Sequence, residues 1–189
     1  MCGICGQYNF ADHRPVEPRR VSAMADAIVH RGPDDEGSYF SDGLGLGFRR
    51  LSIIDLEGGH QPMSDAEETV WVAFNGEIYN FPELKDELEG LGHVFRTRSD
   101  TEVIIHGYKQ WGSEVLNRLN GMFGLAIWDE RRKRLTLARD SAGIKLVYYR
   151  IKDGSVLFGS ELRSVLAGLE RRPDLDTTAL NLFLRYRYT

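Results

Sequence analysis

Two hydrophobic patterns alternate along the chain and predict its secondary structure. Short runs rich in β-branched and aromatic residues, bounded by turn-forming residues, predict β-strands. The strands predicted in this way are 3–10, 37–39, 44–51, 70–74, 94–97, 122–128, 134–138, 146–151 and 156–159. Apolar residues that recur at positions i, i+3 and i+4 predict amphipathic helices instead. The predicted helical segments are 21–28, 82–91, 101–110, 114–119, 160–166 and 180–188.

The order of these elements predicts an α+β fold. Strands cluster at both ends of the chain, and helices lie mostly between them. Turns at 129–133 and 152–154 join consecutive strands as hairpins, which implies antiparallel sheets. Ser99 or Asp100 is expected to cap the helix at 101–110. We expect two sheets packed face to face, with the helices on the outside.

Composition is typical of a soluble globular protein and argues against several function classes. The 189 residues suit one large domain or two small ones, with 42% hydrophobic and 28% charged residues. The net charge is −4 and the cations are dispersed, which argues against a nucleic-acid-binding face. The sequence has no apolar run near the ~18 residues of a membrane span and no signal-peptide pattern. Since 2 cysteines give no disulfide framework, we expect a cytoplasmic protein.

Cys2 is the first candidate for chemistry because it directly follows the initiator methionine. Removal of Met1 leaves one residue with a thiol, of pKa about 8.5, and an α-amine, of pKa about 7.7–8.0. The amine can take the thiol proton, so that nucleophile and general base come from one residue. Two alternatives stay open on these residues alone. Cys2 and Cys5 could form a redox pair or half of a zinc site, or Cys2 could be a small buried residue.

Three polar groups fall at predicted strand ends or turns, namely 49–50, 75–77 and 99–100. An arginine in the first group could grip a carboxylate with its planar guanidinium, and acidic residues in the others could hold an ammonium. Asn75 and Gly76 could aim two N–H donors at one oxygen, as an oxyanion hole does. Each group also has a simpler interpretation: a solvated strand edge, an Asn-Gly turn and a helix cap.

Eight segments, taken in order, resemble a known family. They are CGICG (2–6), HRGPD (30–34), RLSIID (50–55), QPM (61–63), NGEIYN (75–80), SDTE (99–102), NGMFG (120–124) and ARD (138–140). Together they resemble the glutaminase domain of class II glutamine amidotransferases, which are N-terminal-nucleophile hydrolases. The version of the motifs around Arg50 and Asn75 is most similar to the asparagine synthetase branch.

The resemblance implies a four-layer αββα sandwich and a reaction. Glutamine would be hydrolysed through a γ-glutamyl thioester on Cys2, with release of ammonia. The resemblance implies that Arg50 binds the α-carboxylate of glutamine and that Glu77 and Asp100 bind its amine. It implies an oxyanion hole formed by the Asn75 side chain and the Gly76 N–H. It also implies that the pocket is lined by the backbone of Leu51, Ser52, Ile53 and Ile54. No metal or cofactor is implied for this step.

The sequence departs from the family in two respects. Segment 139–149 lacks the proline of the family pattern Arg-Asp-x-x-Gly-x-Lys-Pro-Leu-Tyr-Tyr, reads Leu146-Val147 where the proline and leucine stand, and has small residues at Ser141 and Ala142. In the family this segment is expected to face the ammonia acceptor, so the departure leaves ammonia transfer open. The second departure is length, because the ATP-pyrophosphatase domain of a synthetase does not follow.

We therefore expect one glutaminase domain over 1–189, in which 170–189 begins a linker to a missing synthetase domain. ATP and Mg²⁺ are expected only in that missing domain, most simply for asparagine synthesis from aspartate. The expected partners are L-glutamine and an ammonia-accepting synthetase domain or subunit, without nucleic acid or membrane; a homodimer is compatible with the resemblance. The alternatives are a stand-alone glutaminase subunit, a non-catalytic glutamine-sensing or regulatory domain, and an amidase for another substrate.

Overall fold

The computed structural model describes residues 1–51 and 58–188 of the chain. Its strands are β1 (Gly3–Asn9), β2 (Asp35–Ser41), β3 (Leu44–Arg50), β4 (Met63–Ser64), β5 (Val70–Ile78), β6 (Gly121–Asp129), β7 (Arg134–Arg139), β8 (Tyr148–Lys152) and β9 (Ser155–Gly159). Within these ranges they form two antiparallel sheets. The first sheet has the order β2-β3-β1-β9-β8, and the second has the order β4-β5-β6-β7.

The helices in the described part of the chain are α1 (Pro18–Asp26), α2 (Phe81–Gly90), α3 (Thr101–Trp111), α4 (Leu162–Ala167) and α5 (Thr177–Tyr186), with 3₁₀ turns at Val29–Arg31 and Gly112–Asn117. The first four contribute to the apolar clusters on the outer faces of the sheets, whereas α5 has no buried residue. Helices α1 and α4 pack on the first sheet, whereas α3 packs on the second and α2 packs on α3. Across the described part of the chain, every helix falls short of the length and apolar character that a bilayer crossing requires.

Three apolar clusters lie between these layers. Ile4, Phe48 and Trp128 belong to the cluster between the two sheets. A second cluster joins the first sheet to α1 and α4, and a third joins the second sheet to α2 and α3. Burial of these faces is the main favourable term in folding. The predicted α+β class with two antiparallel sheets is confirmed, and the layer order is αββα.

The predicted strand at 94–97 is wrong. These residues are irregular, and Val94 is 77% exposed. The Glu102 carboxylate accepts hydrogen bonds from the backbone N–H groups of Arg96 and Thr97, at 2.9 and 2.7 Å. These donors are therefore satisfied by a side chain instead of a neighbouring strand. The alternating pattern of 94–97 could not reveal these hydrogen bonds, because the residue that accepts them, Glu102, lies on the following helix.

Smaller differences concern element ends. The strand predicted at 146–151 begins at Tyr148, and the helix predicted at 160–166 begins at Leu162. Ser99 Oγ accepts from the Thr101 N–H at 3.3 Å, as expected for a residue at a helix start. Asp100 occupies the cap position of α3 without a side-chain cap bond, because its carboxylate accepts from β5 instead.

Candidate active site

Cys2 lies immediately before β1 and is fixed from several directions. Its Sγ accepts from the Leu51 N–H at 3.4 Å and lies 3.6 Å from the Leu51 carbonyl oxygen, to which the thiol donates. Its own carbonyl accepts from Arg31 Nε at 2.9 Å. The next residues are held by Ser160, whose Oγ accepts from Ile4 N–H at 3.0 Å. The thiol therefore sits on a rigid strand end beside the end of β3.

The two cysteines lie on opposite faces of the first sheet. Cys2 packs against the cluster between the sheets, whereas Cys5 belongs to the cluster beneath α1. This follows from their separation of three positions along a strand, where successive side chains alternate. Burial raises the pKa of the Cys5 thiol to about 12, which leaves it unreactive near neutral pH. The redox-pair alternative therefore has no support in the geometry.

Arg50 is the last residue of β3, opposite Asp35 in the β2 register. The sequence left open a solvated strand edge here, but Arg50 is only 5% exposed. Its neighbour Leu51 is half-buried and contacts the Cys2 thiol. A buried guanidinium at a cavity wall is suited to a carboxylate ligand. The adjacent predicted pocket residues Ser52, Ile53 and Ile54 lie outside the described residues.

Asn75 and Gly76 lie within β5, where they pair with Gly124 and Phe123 of β6. Asn75 is 2% exposed, and its side-chain Nδ2 has no hydrogen-bond partner among the residues that the structure describes. Such a buried donor is costly unless a ligand uses it. A Cβ on Gly76 would lie 2.2 Å from the Met122 carbonyl oxygen, so the close approach of β6 requires glycine.

Asp100 and Glu77 place two carboxylates on the same side of the site. Asp100 is 6% exposed, and its Oδ2 accepts from the Ile78 N–H at 2.9 Å, whereas Glu77 is exposed. Burial raises the pKa of the Asp100 carboxyl, the Ile78 hydrogen bond opposes this, and the Glu77 charge adds to the rise. The net shift is upward. A cation bound between the two carboxylates would relieve their repulsion.

These groups line one cavity of about 170 Å³. Its walls contain Met1, Cys2, Arg50, Leu51, Gly59, Gln61, Phe74, Asn75, Gly76, Glu77, Ser99, Asp100, Thr101, Met122 and Lys145. Every predicted site residue in the described ranges is therefore at this cavity. The groups of the cavity wall comprise a thiol, a guanidinium, an unpaired amide donor and two carboxylates. Within the described residues, no group of three or more His, Cys, Asp or Glu side chains is arranged to hold a metal ion.

Several wall residues were not predicted. Lys145 is 7% exposed, and its Nζ donates to the Met1 sulfur at 3.0 Å. The Asp140 carboxylate holds the preceding turn by accepting from the Lys145 and Ile144 N–H groups at 3.0 and 2.9 Å. The variant residues Ser141 and Ala142 are exposed in this turn, so they leave its anchor intact. Lys145 lies in the segment compared with the family, but nothing in the spacing marked it as a wall residue.

Comparison with known proteins shows the family to which the chain belongs. The family model described as "Glutamine amidotransferase domain" matches residues 1–189. Asparagine synthetase (glutamine-hydrolyzing) 1 of Bacillus subtilis is 41% identical over 194 residues, which cover 100% of this chain and 30% of that protein. Asparagine synthetase (glutamine-hydrolyzing) 2 of Oryza sativa is 39% identical over 90% of this chain and 29% of its own length.

Solved structures share the fold at lower identity. The glutamine phosphoribosylpyrophosphate amidotransferase of B. subtilis, complexed with ADP and GMP, superposes with a TM-score of 0.72 at 20% identity. The match covers 88% of this chain and 43% of that one. At this identity the likeness concerns the fold alone. The chain spans about 30% of the length of the first curated relatives that it matches.

Proposed function

This chain belongs to the glutamine amidotransferase domain family, and we propose that Cys2 is the nucleophile with which it hydrolyses L-glutamine. The family match confirms the resemblance that the motifs indicated. The observation that carries the residue assignments is the buried, unpartnered Asn75 Nδ2 in the wall of the cavity that also holds Cys2. A donor left unpaired beside a nucleophile is the arrangement that an oxyanion hole needs.

Glutamine binding uses charged groups of both signs in the cavity wall. Arg50 holds the α-carboxylate through its buried guanidinium. Glu77 and Asp100 hold the α-ammonium, whose charge offsets the repulsion that raises the pKa of Asp100. The side-chain amide then lies between Cys2 and Asn75. The support for this orientation is that these five groups line one cavity of about 170 Å³.

The proposed reaction proceeds through a thioester. Once Met1 is removed, the Cys2 α-amine takes the thiol proton and the sulfur attacks the amide carbon. Asn75 Nδ2 and the Gly76 N–H stabilise the negative oxygen, and the C–N bond breaks as the amine proton passes to departing ammonia. Water then cleaves the thioester, which releases glutamate and restores the thiol. We ascribe no metal or cofactor to this half reaction.

The second part of the proposal concerns the acceptor of the ammonia. We propose that the complete protein transfers ammonia to an acceptor domain, most simply for ATP- and Mg²⁺-dependent asparagine synthesis from aspartate. The support is the identity to asparagine synthetases of which this chain spans about 30%. Residues 1–189 then form the glutaminase domain, and 170–189 begin the connection. The cytoplasmic location and a homodimer remain predictions.

We place the acceptor against the cleft beside Cys2. This cleft has a volume of about 550 Å³ and shares Met1 and Lys145 with the glutamine cavity. Its wall contains the exposed apolar side chains Ile144, Leu146 and Leu162. Exposed apolar clusters of this kind suit a domain or protein interface. The alternative of a stand-alone ammonia-delivering subunit uses the same face for a separate partner.

The proposed nucleophile is tested with 6-diazo-5-oxo-L-norleucine, a glutamine analogue that alkylates such thiols. We expect one adduct by intact mass, mapped to Cys2 on chains that lack Met1. Cys5 is the internal control and stays unmodified, because it is buried and its pKa lies at about 12. Cys2→Ala should reduce glutamine hydrolysis to background, and a retained N-terminal residue should reduce it strongly.

Two results would contradict this assignment. Turnover like that of the wild type in Cys2→Ala would reject Cys2 as the nucleophile. Absence of an adduct on chains that have lost Met1, combined with glutamine binding without turnover, would favour the glutamine-sensing alternative. Activity on other amides with glutamine inert would favour a different amidase.

A further inference from the structure

Gln61 belongs to the motif QPM, to which the proposed reaction assigns no role. It is 6% exposed, and it lies in the segment between β3 and β4. It also lines the glutamine cavity. A buried glutamine side chain has a carbonyl acceptor and an amide donor that both need hydrogen-bond partners. The residues that supply these partners are the ones whose positions Gln61 can fix.

The backbone of Gln61 is seated against the first sheet. A Cβ on Gly37 of β2 would lie 1.9 Å from the Gln61 carbonyl oxygen, so the segment and the strand meet at van der Waals contact. The preceding residue, His60, places its Nδ1 2.7 Å from Asp35 Oδ2. Asp35 in turn pairs with Arg50 in the sheet register. Gln61 is thereby attached to the half of the site that carries Arg50 and Cys2.

The side chain of Gln61 reaches the other half of the site. Its Oε1 accepts from the Phe74 N–H of β5 at 2.7 Å, and its Nε2 donates to Thr101 Oγ1 of α3 at 3.3 Å. Phe74 directly precedes Asn75, and Thr101 directly follows Asp100. Both hydrogen bonds therefore end one residue away from a group that is proposed to hold glutamine.

A second hydrogen bond joins the start of α3 to β5. The Asp100 carboxylate accepts from the Ile78 N–H, so α3 is tied to β5 on both sides of Asn75, Gly76 and Glu77. The hydrogen-bonded link between Phe74 and α3 runs through the Gln61 side chain. Loss of that side chain would remove the two hydrogen bonds that connect residue 61 to Phe74 and Thr101, while the apolar cluster between the sheets keeps them packed together.

We propose that Gln61 is a positioning residue that fixes the distance between the Cys2–Arg50 half and the Asn75–Asp100 half of the active site. The inference rests on the proposed glutaminase function. The thiol must meet an amide carbon whose oxygen points at Asn75, so a shift of one sheet against the other misaligns attack. Misplacement of about 1 Å can cost about a hundredfold in rate. Substrate affinity should change less, because the attraction of Arg50 and Asp100 for the charged groups of glutamine falls off gradually with distance, whereas attack on the amide carbon requires close alignment.

The main test is Gln61→Met, which keeps side-chain length and removes both hydrogen bonds. The matched control is Gln7→Met, since Gln7 is 5% exposed, makes side-chain hydrogen bonds and lies outside the cavity. Glutaminase kcat is normalised to the sites that 6-diazo-5-oxo-L-norleucine titrates, which removes any misfolded fraction. We expect Gln61→Met to lower kcat per site by about 10- to 100-fold with KM changed by less than about threefold. Gln7→Met should keep kcat per site near that of the wild type.

A second pair of variants tests one of the two hydrogen bonds of the Gln61 side chain, the one that it donates to Thr101 Oγ1. Thr101→Val removes the acceptor of Gln61 Nε2, and Thr101→Ser restores a hydroxyl at the same place. We expect a smaller fall in kcat per site for Val than for Gln61→Met, and recovery for Ser. This pair decides the question if Gln61→Met fails to fold.

Three outcomes would overturn the inference. The first is kcat per site within about threefold of the wild type in Gln61→Met and Thr101→Val. The second is a rise in KM alone, which would make Gln61 a direct substrate contact. The third is an equal loss in Gln7→Met, which would reveal a general effect on packing. A wild-type protein that neither turns over glutamine nor reacts with the analogue would instead reject the proposed function.

Discussion

Replacement of Asn75 by leucine should separate catalysis from stability in one variant. Leucine has nearly the shape of asparagine but cannot donate a hydrogen bond. Asn75 is 2% exposed, and its Nδ2 has no partner among the described residues, so folding alone gains nothing from this donor. A buried unsatisfied polar group costs about 1–3 kcal/mol. The substitution should therefore relieve a cost in the free protein.

The catalytic effect should run in the opposite direction. Loss of one oxyanion-hole donor lowers kcat by about 10²–10³-fold, or about 2.7–4 kcal/mol of transition-state stabilisation. Substrate affinity should change little, because the oxyanion forms only during reaction. If about 1 kcal/mol of the unsatisfied-group cost is recovered, the melting temperature should rise by about 2–4 °C for a domain of this size.

The assay combines glutaminase kinetics per titrated site with thermal unfolding by calorimetry. Asn75→Asp is the matched variant, because it keeps the shape and adds a negative charge. We expect it to lose at least as much kcat as Asn75→Leu, since the charge opposes the oxyanion. Its melting temperature should fall because burying an unpaired charge is costly. Turnover in Asn75→Leu within about threefold of wild type would refute the reasoning, as would an activity loss explained entirely by unfolding.

Two further predictions concern carboxylates near the site. Asp100→Asn should raise the KM for glutamine at least about tenfold at neutral pH. Because burial raises the pKa of the Asp100 carboxyl, the wild-type KM should begin to rise on acidification at a higher pH than it would with an ordinary aspartate. Steady-state kinetics from pH 4 to 8 would check both expectations, and an unchanged KM would contradict them. Burial alone would raise the pKa of Glu102, but hydrogen bonds from His106, Thr97 and the backbone lower it to about 2. The stability that Glu102 contributes is therefore present above pH ~4.5 and lost as the pH falls towards 2, so Glu102→Gln should destabilise the protein at pH 7 more than at pH 3 in urea titrations. Equal destabilisation at both values would contradict this.

The fold was predictable from the sequence because most of it follows local patterns. The β1 segment is buried at every position, and the hairpin β8–β9 turns at Asp153-Gly154, as its dipeptide predicted. In the helix predicted at 82–91, Leu84 and Leu88 of the predicted apolar stripe pack into the core, whereas its third member, Leu91, is 53% exposed. The irregular segment at 94–97 was not predictable in this way, because its backbone bonds to Glu102, a residue that belongs to another element.

The same distinction explains which site residues the sequence revealed. Cys2, Arg50, Asn75 and Asp100 stand in motifs whose chemistry could be named residue by residue, and the structure brings all of them to one cavity. Gln61 also stands in a quoted motif, but its type suggests no reaction. Its importance depends on partners in β5 and α3 that no spacing along the chain connects. Residues that hold a site together across two sheets are therefore hidden from a one-dimensional pattern, even when their motif is visible.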